Sequence, residues 1–289
     1  MHLNITTIYE TDDPHLKDYH NIREKDLVGR RHQFIAEGKV ILSALLNSKK
    51  FSALSLLIVV ERLPRLMPLL EKTQPTCPIY CVSQNIMDNI IGFHVHRGIL
   101  GIGKRKMLPS LQNFLQDLPT KALILVLCGI SNHDNMGSIF RNAAAFASNG
   151  IIIDKTSCDP LYRKSIRISA GAALKVPYTQ GADIHDIIAT LNAADFHLYA
   201  LSPSAPYTLK HAHPQKRIAL ILGTEGDGLP THVLQKTETL CIPMAYGFDS
   251  LNVATASGIA LAHFSDFDKL SKENTPENHK KIHNTGYYL

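Results

Sequence analysis

No stretch of this sequence approaches the roughly 18 consecutive apolar residues that a membrane-spanning helix needs, so no membrane partner is expected. Its first residues, Met1-His2-Leu3-Asn4-Ile5-Thr6-Thr7, show no basic region followed by an apolar core, and no secretory signal is expected. Cysteine is scarce and odd in number: Cys77, Cys81, Cys128, Cys158 and Cys241 make five, without framework spacing. That pattern excludes a disulfide scaffold and points to reduced thiols in a cytoplasmic protein. Metal-ligand spacing is also missing. Neither His94-x-His96 nor His211-x-His213 has a carboxylate or cysteine at ligand spacing, and Cys77 and Cys81 lack a second pair, so no metal is expected. The dinucleotide fingerprint is absent too. Asp154 could serve as the acidic residue ending a second strand, but Ser131 to Gly137 offers one glycine where Gly-x-Gly-x-x-Gly needs three.

What is present is a chain of 289 residues with 45% hydrophobic content, enough for one large or two ordinary domains. Net charge is +5 and unevenly placed: residues 1–106 hold 15 Lys/Arg and 10 Asp/Glu, whereas residues 107–289 hold 15 of each. A basic excess of this size can track a phosphate backbone, and it can equally be ordinary surface solvation.

The pattern divides the chain into residues 1–106, a connection at 107–121, a second unit at 122–264 and a polar tail at 265–289. Residues 1 to 30 read as an arm or short helix. Strands are then predicted at 33–36, 55–60, 78–82 and 98–103, with helices at 39–46, 63–72 and 83–91; Leu63, Leu66, Leu69 and Leu70 show helical spacing. The connection carries a helix, because Leu111, Phe114 and Leu115 can pack. In the second unit, strands are predicted at 122–128, 150–154, 197–202, 217–222 and 239–243. Helices are predicted near 137–148, 160–173, 183–193, 229–236 and 250–264. Alternation of this kind calls for an α/β fold, with a mostly parallel sheet covered by helices on both faces. The tail is expected to fray.

Three polar turns follow apolar strands in the second unit. Ile124-Leu125-Val126-Leu127 leads into Ser131-Asn132-His133-Asp134-Asn135-Met136-Gly137, with Arg141 a turn later among Ala143, Ala144, Ala145 and Phe146. Ile218-Ala219-Leu220-Ile221-Leu222 leads into Gly223-Thr224-Glu225-Gly226-Asp227-Gly228. Ile242-Pro243 leads through a loop to Ser250-Leu251-Asn252-Val253, where a helix of small residues begins and where Ser250 and Asn252 can cap free N–H groups. Strand ends of this kind are where parallel sheets collect their ligand sites. Arg141 stands in so apolar a stretch that it needs a partner. Glu225 among glycines argues against phosphate binding, since it would repel one, and Asp227 reads as facing water. Asn135 by itself also fits an Asx turn before a helix.

Together, in this order and spacing, the three turns resemble the motifs of the SpoU-type (TrmH-like) RNA ribose 2′-O-methyltransferases of the SPOUT superfamily, over residues 122 to 264. Asn132-His133, where a proline-containing pair is frequent, and Ala254-Thr255, in place of a more usual serine and valine, depart from that pattern. The resemblance implies S-adenosylmethionine as cofactor, a trefoil knot made by tucking the segment 219–264 through a loop, and a homodimer whose interface completes the site. It implies catalytic roles for Asn135, Arg141, Glu225, Ser250 and Asn252, and cofactor contacts for Leu201, Gly223, Ile242 and Leu251. Arg141 matches an arginine proposed to activate the ribose hydroxyl. A guanidinium rarely loses its proton, so stabilising the developing alkoxide is the other reading. The N-terminal unit is similar to a small ribosomal-protein-like α/β substrate domain, a similarity carried by Phe34-Ile35-Ala36-Glu37-Gly38 and by Gly92 to Gly98. That implies structured RNA as partner, ribosomal more than transfer RNA; the basic excess of residues 1–106 makes Arg30, Arg31, Arg97, Lys104, Arg105 and Lys106 the candidate contacts. Ribose methylation of tRNA, and a non-catalytic RNA-binding protein that retains the fold, are the alternatives.

Overall fold

The structure, a computed structural model, describes residues 3–20, 32–91, 97–213, 215–224 and 226–265. Two sheets organise them. The first contains β1 (Ile5–Thr7), β2 (Gln33–Glu37), β3 (Phe51–Val59), β4 (Ile79–Val82) and β5 (Ile99–Arg105), in the spatial order β1-β4-β3-β5-β2. β1, β4 and β3 run parallel, whereas β5 is antiparallel to both its neighbours. Helices α1 (Lys39–Leu46), α2 (Leu63–Thr73) and α3 (Gln84–Ile91) form where periodicity predicted them. The continuous apolar run of β3 is explained by two covered faces. Leu56 and Ile58 pack with Leu42, Leu66 and Leu70, while Leu57 and Val59 pack with Ile86, Met87 and Ile90.

The beginning of the chain is not a free arm. Ile5–Thr7 adds a strand beside β4, and a 3-10 turn at Pro14–Tyr19 buries Leu16 and Tyr19 completely. The Tyr19 hydroxyl and Ser55 Oγ lie 2.7 Å apart in a hydrogen bond. Too few apolar residues mark this stretch for a periodic pattern to show. The expected frayed tail lies outside the described residues beyond Ser265.

Helix α4 (Leu111–Gln116) connects the sheets, with Ser110 capping it and Leu111, Phe114 and Leu115 buried. The second sheet is parallel throughout. It contains β6 (Ala122–Leu127), β7 (Gly150–Asp154), β8 (Tyr178–Ala182), β9 (His197–Leu201), β10 (Tyr207–Thr208), β11 (Arg217–Leu222) and β12 (Glu238–Cys241). Their spatial order is β10-β12-β9-β11-β6-β7-β8. α5 (His133–Ala145), α6 (Arg163–Ile168), α7 (Ile184–Ala193), α8 (Thr231–Leu234) and α9 (Val253–Phe264) complete it. One face packs Leu125, Leu220 and Leu222 with α5 and α9; the other packs Ile124, Val126 and Ile221 with α4 and α7.

The sequence reading missed β8 and β10. β8 is polar at Gln180, and Gly181 takes φ +102 next to a register shift against β7, so neither alternation nor an apolar run marks it. The helix expected over 160–173 stops at Ile168, because Ala170 and Gly171 adopt left-handed backbone (φ +50 and +81).

The sheets share one core. Phe34, Ala36, Ile41 and Phe51 belong to the same buried cluster as Leu125, Phe140 and Tyr178. Ion pairs from Arg105 to Asp159 and from Arg163 to Glu37 cross the junction. All five cysteines are unpaired, and no described helix is long and apolar enough to cross a membrane.

Candidate active site

The loops leaving β9, β11 and β12 enclose a cleft of about 520 Å³ at the C-terminal ends of these adjacent parallel strands. Leu201, Gly223, Ile242, Ser250, Leu251 and Asn252, drawn from three separated segments, all line it. Met244 and Thr224 line it as well, and nothing in a single sequence singled them out.

Asn252 joins two of the motifs. Its Oδ1 accepts hydrogen bonds from the backbone N–H of Ala254 (2.9 Å) and Thr255 (3.2 Å), which caps α9. With the oxygen committed to the cap, the amide orientation is set, and Nδ2 donates to Oδ1 of buried Asn135 at 2.9 Å. Asn252 is the N-cap, so α9 starts at Val253 and not at Ser250, which stands exposed on the cleft rim.

Helix α5 likewise starts earlier than the sequence indicated. Asn132 caps it, its Oδ1 accepting from the N–H of Asp134 (2.7 Å) and of Asn135 (3.4 Å), which places Asn135 inside the first turn rather than in a turn before it. The glycine two residues on has a packing cause. A Cβ at Gly137 would stand 2.6 Å from the Ser165 carbonyl oxygen, where α6 crosses; Ser165 Oγ in turn donates to the His133 carbonyl at 3.0 Å.

Asn142, which the sequence reading passed over, fastens α5 to α9. Its Nδ2 donates to the Ala254 carbonyl (2.7 Å) and to Ser257 Oγ (2.9 Å). The available signal was a lone polar side chain amid alanines, opposite a helix of small residues. Gly258 makes room for it, since a Cβ there would press on the Asn142 amide at 3.2 Å.

The second motif folds back on itself. Thr224 bridges to Gly228, and its Oγ1 donates to the Gly228 carbonyl at 3.3 Å; Gly226 and Gly228 take φ of +101 and +69. A Cβ at Gly223 would come within 2.7 Å of the Gly228 backbone, so this close approach requires glycine. Asp227 is exposed, as expected, and Glu225 lies outside the described residues.

Arg141 is exposed on α5 and does not line the cleft of its own chain. Among the described residues it has no acidic partner. Asp154, the residue that suited a dinucleotide site, is buried and fully engaged. It accepts from the N–H of Gly129 (3.1 Å), the N–H of Ser157 (2.9 Å), Ser157 Oγ (2.6 Å) and Thr156 Oγ1. Nothing of that carboxylate is left for a ribose.

Among the expected RNA contacts, Arg97, Lys104 and Lys106 are exposed, and Lys106 Nζ donates to the Lys49 carbonyl at 2.8 Å. Arg30 and Arg31 lie outside the described residues. Arg105 requires correction. Strand β5 runs on through Arg105, and strand alternation turns its side chain away from the Lys104 face. The side chain is 9% exposed and its guanidinium is paired with Asp159, so it is a strut between the sheets rather than a phosphate contact. Of the histidine pairs, His94 and His96 lie outside the described residues, and His211 Nδ1 accepts from the Thr208 N–H (3.2 Å). Among the described residues, no three His, Cys, Asp or Glu side chains gather to hold a metal ion.

Comparison with known proteins bears on the same segments. The family model of the SpoU rRNA methylase family matches residues 122–262. An uncharacterized tRNA/rRNA methyltransferase of Mycobacterium tuberculosis is 36% identical over 268 residues, spanning 89% of this chain and 91% of that one. The 23S rRNA (guanosine-2′-O-)-methyltransferase RlmB of Escherichia coli K12 is 27% identical over 205 residues, 68% of this chain and 83% of that one. An AdoMet-bound rRNA methyltransferase from Sinorhizobium meliloti has the same fold, with a TM-score of 0.74 over 90% of this chain and 97% of that one at 21% identity.

Proposed function

This chain belongs to the SpoU rRNA methylase family, and from that premise we propose that it methylates the 2′-oxygen of a ribose in structured RNA, ribosomal more than transfer RNA. The observation that carries this reading is that the second and third motifs line one cleft, and that the first is tied to its rim by the Asn252–Asn135 bond. S-adenosylmethionine is the cofactor. The cleft fits it: about 520 Å³ falls in the range of small-molecule sites, and Leu201, Leu240, Ile242 and Leu251 offer apolar walls to a purine. When bound, it supplies an electrophilic methyl group on a sulfonium.

The chain's own residues do the rest. Asn252 and Asn135 hold the loop 249–252 in place, and alignment of the reacting atoms by such a scaffold is worth up to roughly 7–11 kcal/mol in the best cases. Arg141 either activates the hydroxyl or, staying charged, stabilises the developing alkoxide. Because Arg141 is exposed and off the cleft wall of its own chain, we read the working form as a homodimer in which a second copy completes the site. The knot is part of the same reading. It is supported by β11 inserting between β6 and β9, and by α9 returning to pack on α5. Five free thiols suit a reducing cytoplasm.

The ribosomal preference rests on the RlmB similarity and on the additional N-terminal sheet. The decisive experiment incubates the protein with methyl-labelled S-adenosylmethionine and unmodified ribosomal or transfer RNA, then digests the product to nucleosides. Label on a ribose oxygen of ribosomal RNA is expected. Label on a base, or on tRNA alone, overturns the assignment.

A further inference from the structure

The cleft has a rim that the reaction as described does not use. Between β12 and α9 the chain makes a tight turn, in which the Phe248 N–H donates to the Ala245 carbonyl at 3.2 Å. Gly247 holds the third position of this turn with φ +88, the left-handed backbone such turns demand, and no neighbour would meet a Cβ there. The two residues around that glycine are aromatic. Tyr246 is 108% exposed and Phe248 72%. A single exposed apolar side chain is ordinary, but two rings displayed by one turn at the mouth of a ligand cleft form a recognition surface. The turn is continuous with the cleft, for Met244 precedes it and Asp249, Ser250 and Leu251 follow it on the lining.

Resting on the methyltransferase reading, we propose that Tyr246 and Phe248 form a stacking platform for an unpaired nucleobase of the RNA, at or next to the ribose that receives the methyl group. The turn borders the cleft that the target ribose hydroxyl enters, and the base of a nucleotide so placed leaves the helical stack. An unstacked base exposes two π-faces, and flat aromatic side chains recover the lost stacking without regard to base identity. The platform therefore supplies affinity and orientation, and leaves choice of sequence to other surfaces.

The test uses the full chain and a hairpin RNA carrying 2-aminopurine in its loop, with a second hairpin labelled in the paired stem as control. Wild-type protein is expected to quench the loop label and leave the stem label unchanged. The double variant Tyr246→Ala/Phe248→Ala is expected to lose the quenching and to bind the hairpin on the order of tenfold more weakly. The ring-preserving pair Tyr246→Phe/Phe248→Tyr should restore both to within about threefold. Calorimetric affinity for S-adenosylmethionine should be the same in all three proteins, which also reports that each is folded. Equal quenching by the double alanine variant would overturn the platform. So would a halving of its mass by light scattering, which would assign the turn to contact with a second copy. Quenching by a wild-type protein that binds no cofactor would uphold the platform and overturn the methyl-transfer reading.

Discussion

The two sheets solve the same packing problem and differ in the direction of one strand. Both bury apolar strands on two faces, but the second sheet is parallel throughout, whereas the first carries antiparallel β5 between β3 and β2. In the parallel sheet, β9, β11 and β12 end together, and their loops enclose the cleft. In the first sheet, reversal of β5 brings its C-terminal end beside the start of β3, where Phe51 pairs with Arg105. A basic residue there meets the second sheet instead of solvent. Uniform strand direction makes a site, and one reversed strand makes a joint.

The largest effect should come from the cleft side. Arg141→Ala is expected to lower the methyl-transfer rate at least about 10²–10³-fold, the cost of removing one charge-stabilising donor. Cofactor affinity by calorimetry should stay within about threefold, because Arg141 lines no part of the cleft in its own chain. Activity within tenfold of wild type, with folding matched, would erase its catalytic role.

On the joint side, Arg105→Ala leaves the Asp159 carboxylate at the junction without its partner and should cost about 3 kcal/mol in urea unfolding. Replacing the exposed Lys104 and Lys106 by alanine should change stability by less than about 0.5 kcal/mol. That pair should instead flatten the log-affinity against log-salt slope for structured RNA by up to about 2 units. If Arg105→Ala alters the salt slope and not the stability, the joint is wrongly drawn.

A smaller effect separates two functions within Asn252. Asn252→Asp keeps an acceptor for the α9 cap but removes the donor to Asn135, so helix stability should hold while activity falls. Asn252→Ala loses both, at about 1 kcal/mol for the cap. Equal activity in Asn252→Asp and wild type would show the Asn135 bond to be idle.

The smallest effect concerns the thiols. Burial pushes Cys128 and Cys158 up to about 11, above the ordinary thiol value, so less thiolate is present at any given pH. Alkylation of both at pH 8 should be slow in the folded protein and become fast in urea. Rapid labelling without denaturant would mean that the core they occupy opens easily.

Much of this architecture is legible in the sequence. Helix α1 ends where its periodicity stops, and the connection helix was marked by Leu111, Phe114 and Leu115, all buried. Leu201, Gly223, Ile242 and Leu251, which line the cleft, were legible through the family resemblance of the three turns, because composition and periodicity alone do not distinguish such positions from ordinary strand ends and caps. Missed elements share a cause. β8 and the N-terminal 3-10 turn are stabilised by neighbours far away in sequence, such as Ser55 for Tyr19, so no local pattern announces them.

The sequence by itself determined the alternation of strands and helices, the three polar turns and the family, because each is written in residues close to one another along the chain. Tertiary structure alone decided the rest. It turned Arg105 from the expected RNA contact into a strut, since that depends on where β5 ends and on what lies opposite. It found Asn142, whose partners Ala254 and Ser257 are more than a hundred residues away. It also placed Arg141 on an exposed face of α5 with no acidic partner among the described residues, because burial and pairing are properties of packed surfaces, and a linear pattern records only which side chains are available to meet.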